Sequence, residues 1–190
     1  MEVQKFNLPN NRTLKIIQSE TGESPREWDN LCKMIFIGNY SHLGDKHDFH
    51  DTHESFEAHQ AHIEKELDVA YIAPVYAYIH SGMTISLQPF SCRWDSGKLG
   101  WVVVTKKDLR ENYSIKRVTQ KYIDKAEQHV EAEIKTLDQY IRGDVYGFEI
   151  LDENGEHEDS CFGFYGSDIE ENGILEHLSI EDKEAIKVEV

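Results

Sequence analysis

Apolar side chains recur at three- and four-residue steps through Tyr122, Ala126, Val130, Ile134, Leu137 and Ile141, and Gly143 follows. That period predicts one long amphipathic helix with a glycine stop. Glu131, four residues before Lys135, adds a small favourable pair on its polar side. A shorter helix is predicted over 54–67, where Phe56, Ile63 and Leu67 share a face. The run VAYIAPVYAYIH (69–80) is almost continuously apolar and reads as a buried central strand. Pro74 within it marks a break or a bulge, because proline donates no ladder hydrogen bond.

Further strands are predicted at TLKIIQ (13–18), taken as the first, at CKMIFIG (32–38), after the turn at Gly82, and at LGWVVVTK (99–106). Ser24 before Pro25, with Glu27 three residues on, signals a short helical turn. Asn154-Gly155, flanked by β-rich arms, signals a hairpin whose two turn residues tolerate positive φ. The acidic stretch 167–187, with Ile174, Leu175 and Leu178, is expected to close the chain as a helix. Strands and helices mix without βαβ alternation. The expected fold is therefore α+β: a mostly antiparallel sheet, one long helix and shorter ones, in a single domain over 1–190.

Apolar residues at 39% and aromatics at 11% of 190 residues suffice for a core. No apolar run reaches the roughly 18 residues of a membrane span, and MEVQKFNLPNNRTLK lacks the apolar centre of a signal peptide. Three cysteines without CxxC spacing read as reduced thiols, so the cytoplasm, of a host cell in the reading below, is the expected compartment. The formal charge is −16, and residues 143–190 carry 15 acids against two lysines. Such a field repels nucleic acid and attracts basic surfaces; the plainer reading is solubility.

PFSCRWDSGKLGW (89–101) gathers the residues of a thiol site. Cys92 would be the nucleophile, His80 the base, Asp95 the orienting acid, and Arg93 a charge that lowers the thiol pKa. The competing reading is a tight strand-to-strand connection in which Asp95-Ser96-Gly97 turns the chain and Cys92 and a tryptophan pack beneath. It is preferred, so no catalytic residue is assigned.

The histidine-rich stretch holds His47, His50, His53, His59 and His62 among Asp45, Asp48 and Asp51. It misses HExxH, since Glu57 stands where that motif needs its second histidine. Asp45, His47 and His80 are the preferred ligands should a metal bind; none is assigned, and no cofactor is expected. GxGxxG, P-loop and nucleophile-elbow motifs are absent. The basic residues Lys106, Lys107, Arg110, Lys116, Arg117 and Lys121, interleaved with Tyr113 and Tyr122, could touch phosphate, but offset by Asp108, Glu111 and Asp124 they read as a solvated helix entry.

The blocks ESPREWDNL (23–31), LGDKH (43–47), HSG (80–82), PFSCRWDSGKLGW, DVYGF (144–148) and DSCFGFYG (159–166) resemble an uncharacterised family of small bacteriophage and mobile-element proteins. The resemblance implies no activity. It implies a setting in which acidic proteins act as decoys or inhibitors of host defence enzymes, restriction and CRISPR nucleases included. The histidine-rich region departs from the family pattern, which argues against a shared metal site there.

The favoured expectation is an inhibitor presenting a DNA-like surface of Glu149, Asp152, Glu153, Glu156, Glu158, Asp159, Asp168, Glu170 and Glu171. Its partner is a protein with a basic surface, such as a host nuclease or its complex, with no direct nucleic-acid or membrane binding. The alternatives are a small enzyme using Cys92, His80 and Asp95 or a metal, and a non-enzymatic host-takeover adaptor. Exposure of Trp28, Trp94 and Trp101 together would favour the adaptor.

Overall fold

The computed structural model describes residues 1–19, 22–49 and 55–189. The fold is α+β with two antiparallel four-stranded sheets. The chain divides into two compact units, one formed by Met1–Ser24 with Gln139–Val190 and the other by Pro25–Asp138.

In the Pro25–Asp138 unit the strand order is β3-β6-β4-β5, from β3 (Lys33–Phe36), β4 (Val69–Ile79), β5 (Met83–Ser86) and β6 (Ser96–Thr105). The strand buried throughout is β6, from Leu99 to Val104, whereas β4 is largely half-buried although it is central. Adjacent strand residues point to opposite faces, and both faces of this sheet are covered. Ile72, Ile35, Trp101 and Val103 meet Ile63 of α1 (Phe56–Glu66) on one side. Tyr71, the residue before Ile72, is half-buried, and burial, then Glu127 and Glu131 of α3 (Gln120–Ile141), raise its pKa.

Pro74 does not break β4. It pairs with Trp101, and the ladder is irregular elsewhere, between Val69 and Tyr71 and, one step after Pro74, between Val75 and Tyr76, where β6 carries the extra residue Leu99. The long helix spans 22 residues, with Ala126, Val130, Ile134 and Leu137 buried, and the following Gly143 takes φ 72°. A short helix absent from the expectation, α2 (Lys106–Asn112), follows β6 directly. Thr105 and Asp108 cap it reciprocally, each side chain taking the other's backbone N–H.

The other unit holds β1 (Glu2–Asn7), β2 (Thr13–Gln18), β7 (Val145–Leu151) and β8 (His157–Tyr165), in that spatial order. Thr13–Gln18 is thus the second strand; the first, β1, exposes all but Phe6 and lacks a hydrophobic pattern. Phe6, Leu14, Ile16, Phe148 and Ile150 form a core with Ile169, Ile174, Leu178 and Ile186. The chain end is two pieces rather than one helix: a 3-10 turn at Ile174–His177, then α4 (Ile180–Glu189). The β7–β8 turn also differs from expectation. Only Gly155 takes a positive φ, 80°, and Asp152 N–H reaches Glu156 O at 2.8 Å across a wider loop.

One buried ionic network holds the Pro25–Asp138 unit together. Arg26, its side chain 6% exposed, donates to Asp45 at 2.6 Å, to Glu133 at 2.9 Å and to the Cys32 carbonyl at 2.6 Å. Asp45 also accepts Met34 N–H at 2.7 Å, and Glu133 accepts Leu31 N–H at 2.7 Å. Burial by itself lowers the Arg26 pKa, but Asp45, Cys32 and Glu133 outweigh it and hold the guanidinium above its ordinary value. Replacing Arg26 by Ala strands two carboxylates and the Cys32 carbonyl. The expected loss is about 3–5 kcal/mol in urea unfolding, with Arg26→Lys recovering only part of it.

Candidate functional site

The connection between β5 and β6 is not the tight turn expected. Residues 87–95 join strands that flank β4, and Ser96 and Gly97 already pair with it in β6. Cys92 and Asp95 of this connection nevertheless meet His80 of the β4–β5 turn. Ser96 Oγ donates to the Cys92 carbonyl, and Ile79 N–H donates to the Asp95 carbonyl at 2.7 Å, tying residues 92–96 to the end of β4. Asp95 Oδ2 stands 3.3 Å from His80 Nδ1 and 3.8 Å from Cys92 Sγ. The three side chains therefore share one centre, but the order is thiol, carboxylate, imidazole. A nucleophilic triad needs the imidazole in the middle, where it takes the proton from the thiol. Here the carboxylate occupies that position, an arrangement suited to holding a turn. Of the two tryptophans in the segment, Trp101 is 1% exposed and packs against His59 and Phe56, at ring-centroid distances of 4.8 and 5.2 Å. Trp94 is 95% exposed.

The preferred metal ligands are used otherwise. Asp45 is committed to Arg26 and Met34, and His80 to Asp95. His47 Nε2 lies 2.7 Å from the Phe36 carbonyl, which can only accept, so Nε2 carries the proton. Its other nitrogen, Nδ1, is buried without a hydrogen-bond partner among the described residues. His47 and His62 line a cavity of about 580 Å³ with Asp45, Asp48, Phe49 and Glu66, and His80 is not part of it. Among the described residues no three His, Cys, Asp or Glu side chains are placed to hold a metal ion. His50, Asp51, His53 and Glu54 lie outside the described residues.

His59, three residues before His62 on α1, is buried against Trp101, whereas His62 meets Phe49 edge-on at 5.7 Å. Of the three tryptophans whose joint exposure would mark an adaptor, Trp101 is core and Trp28 is 46% exposed. That leaves Trp94 as the outlier.

The nine nominated acids all lie in the Met1–Ser24/Gln139–Val190 unit, which holds 18 of the 36 acids and only six of the 20 Lys and Arg residues. They divide by role. Asp152 ties the hairpin turn, accepting Glu156 N–H at 2.8 Å and Asn154 N–H at 2.9 Å. Those donors, the Glu156 N–H foremost, hold its carboxyl below the ordinary value, so it stays charged to lower pH. Glu149 is half-buried in β7, opposite Lys15 of β2. Asp168 accepts Glu170 N–H at 2.9 Å in the turn after β8.

Glu153, Glu156, Glu158, Asp159, Asp168, Glu170 and Glu171 are exposed, as are Glu176, Glu181 and Glu184 further along. Several of the unit's cations are directed to other acids: Arg12 to the buried Asp182 at 2.5 Å, Lys15 to Glu2 at 3.5 Å and Arg142 to Asp144 at 3.1 Å. Arg12 also approaches Glu158, at 3.6 Å. Asp182, 2% exposed, was not distinguishable in the sequence from its exposed neighbours.

Comparison with protein-family models, curated proteins and solved structures gives no match. No described helix is long and apolar enough to cross a membrane.

The thiols offer a direct check on this geometry. Burial, then Glu133, pushes the Cys32 thiol well above its ordinary value, and its Sγ donates to Glu133 at 3.0 Å. In the native protein at pH 8 a disulfide reagent should modify Cys92 and Cys161 only, with Cys32 reacting on unfolding. Because the folded pKa is the raised one, this thiol's contribution is complete below about pH 8.5. Stability should fall as pH rises beyond that, a slope that urea midpoints between pH 8 and 10 would reveal.

Proposed function

We propose that this chain is an acidic binding protein that blocks a basic, nucleic-acid-binding surface on a host defence enzyme of the restriction or CRISPR class. The observation that carries the reading is the concentration of exposed carboxylates in one unit, on the β7–β8 hairpin tip, the edge strand β8, the following turn and α4. A duplex carries one negative charge per ~1.7 Å of axis, and a groove built for it is lined with Lys and Arg. A protein surface rich in carboxylates satisfies the same cations, and its attraction fades with salt. The resemblance to mobile-element proteins supplies the class of partner. The enzymatic reading draws no support from an Asp95 that stands between Cys92 and His80.

The test is capture of the partner from host lysate at low salt, then titration of the purified pair. Binding should weaken steeply between about 50 and 500 mM salt, and duplex DNA should compete for the same site. Changing Glu153, Glu156 and Glu170 to Gln and Asp159 to Asn should weaken binding about tenfold or more. Affinity that ignores both salt and these amides would refute the proposal.

A further inference from the structure

The most anomalous surface residue is Trp94, a large aromatic at the apex of a turn, left 95% in solvent. The turn is not loose: the Cys92 and Asp95 carbonyls are each hydrogen-bonded, by Ser96 Oγ and by Ile79 N–H. The backbone on either side of Trp94 is thus tied down. It borders a groove of about 380 Å³ shared with Tyr40 and Asp95, where Ile79 and Leu99 supply apolar surface. Tyr40 and Ile79 are themselves 37% and 40% exposed.

The chemistry of the walls selects the occupant. Aromatic faces attract cations through the ring quadrupole, and a carboxylate beside them adds a full opposite charge. Asp95 meets His80 and Cys92 through Oδ2 alone, which leaves Oδ1 for an incoming donor. Lys98 also borders the groove, but its ammonium is directed to Glu57 at 3.3 Å and over the Phe56 ring at 5.4 Å. An anion would meet the Asp95 charge, and a purely apolar group would desolvate it without compensation.

We propose that this groove receives an arginine or lysine side chain of a protein partner, its charge against Asp95 and its stem and head against Trp94 and Tyr40. The site lies in the Pro25–Asp138 unit and does not depend on the carboxylates of the other unit.

The test titrates the whole chain with N-acetyl-arginine methylamide and with its neutral isostere, N-acetyl-citrulline methylamide, following the three tryptophan indole N–H signals by NMR. The Trp94 signal should shift saturably with the arginine probe, while those of Trp28 and Trp101 stay in place. The citrulline probe, or Asp95→Asn with the arginine probe, should bind about fivefold more weakly. In Trp94→Ala, the same arginine titration should leave the Tyr40 ring signals unshifted. Equal binding of the charged and neutral probes, or no response at Trp94, would overturn the proposal. Because those variants leave the hairpin acids intact, failure here is separate from failure of salt-dependent partner binding.

Discussion

The Arg26 guanidinium is the constraint on which the Pro25–Asp138 unit turns. Its planar fork reaches Asp45, Glu133 and the Cys32 carbonyl at once, so residues 26–32, Asp45 and α3 must converge for all four groups to be satisfied together. The carboxylates are then used a second time. Asp45 takes the Met34 N–H at the start of β3, and Glu133 takes Leu31 N–H and the Cys32 thiol. Asp138, five residues further along α3, accepts Thr84 Oγ1 and Ile85 N–H of β5, at 2.6 and 2.7 Å. The long helix is therefore pinned to both edges of the sheet by polar contacts, and apolar burial fills the space between.

The same economy of charge explains why so few nominated site residues are available for chemistry. A carboxylate near a buried arginine or an open backbone N–H is worth more as a structural partner than as a ligand. Asp45 follows that rule, and so does Asp182, which meets Arg12 while α4 packs on its sheet. The acids left over are those on the hairpin tip, on β8 and on the exposed side of the chain end. Their surplus is large because the unit has few cations and directs several of them inward or to its sheet edge.

PFSCRWDSGKLGW shows both behaviours in thirteen residues. Its second tryptophan belongs to β6 and is buried under α1, so it is core. Its first tryptophan belongs to the β5–β6 connection and is exposed, next to an Asp95 that meets Cys92 and His80. The segment is thus a structural connection that also displays an aromatic residue beside a carboxylate, and that combination gives the groove its preference for cations.

By itself the sequence determined the elements whose period is local. The long helix, α1, β2 to β6, the hairpin arms and the excess of acids follow from spacing and composition, because those depend on residues a few positions apart. Strand β1 was invisible, since an edge strand with one buried side chain carries no period; α2 did carry its Thr105–Asp108 cap in plain view, merged into the strand before it. Only tertiary structure decided the rest. Whether Asp95 lies between Cys92 and His80, whether Asp45 meets Arg26, and which tryptophan is buried all depend on strand register and helix docking. These are contacts between separate elements, and such proximity leaves no period in neighbouring letters.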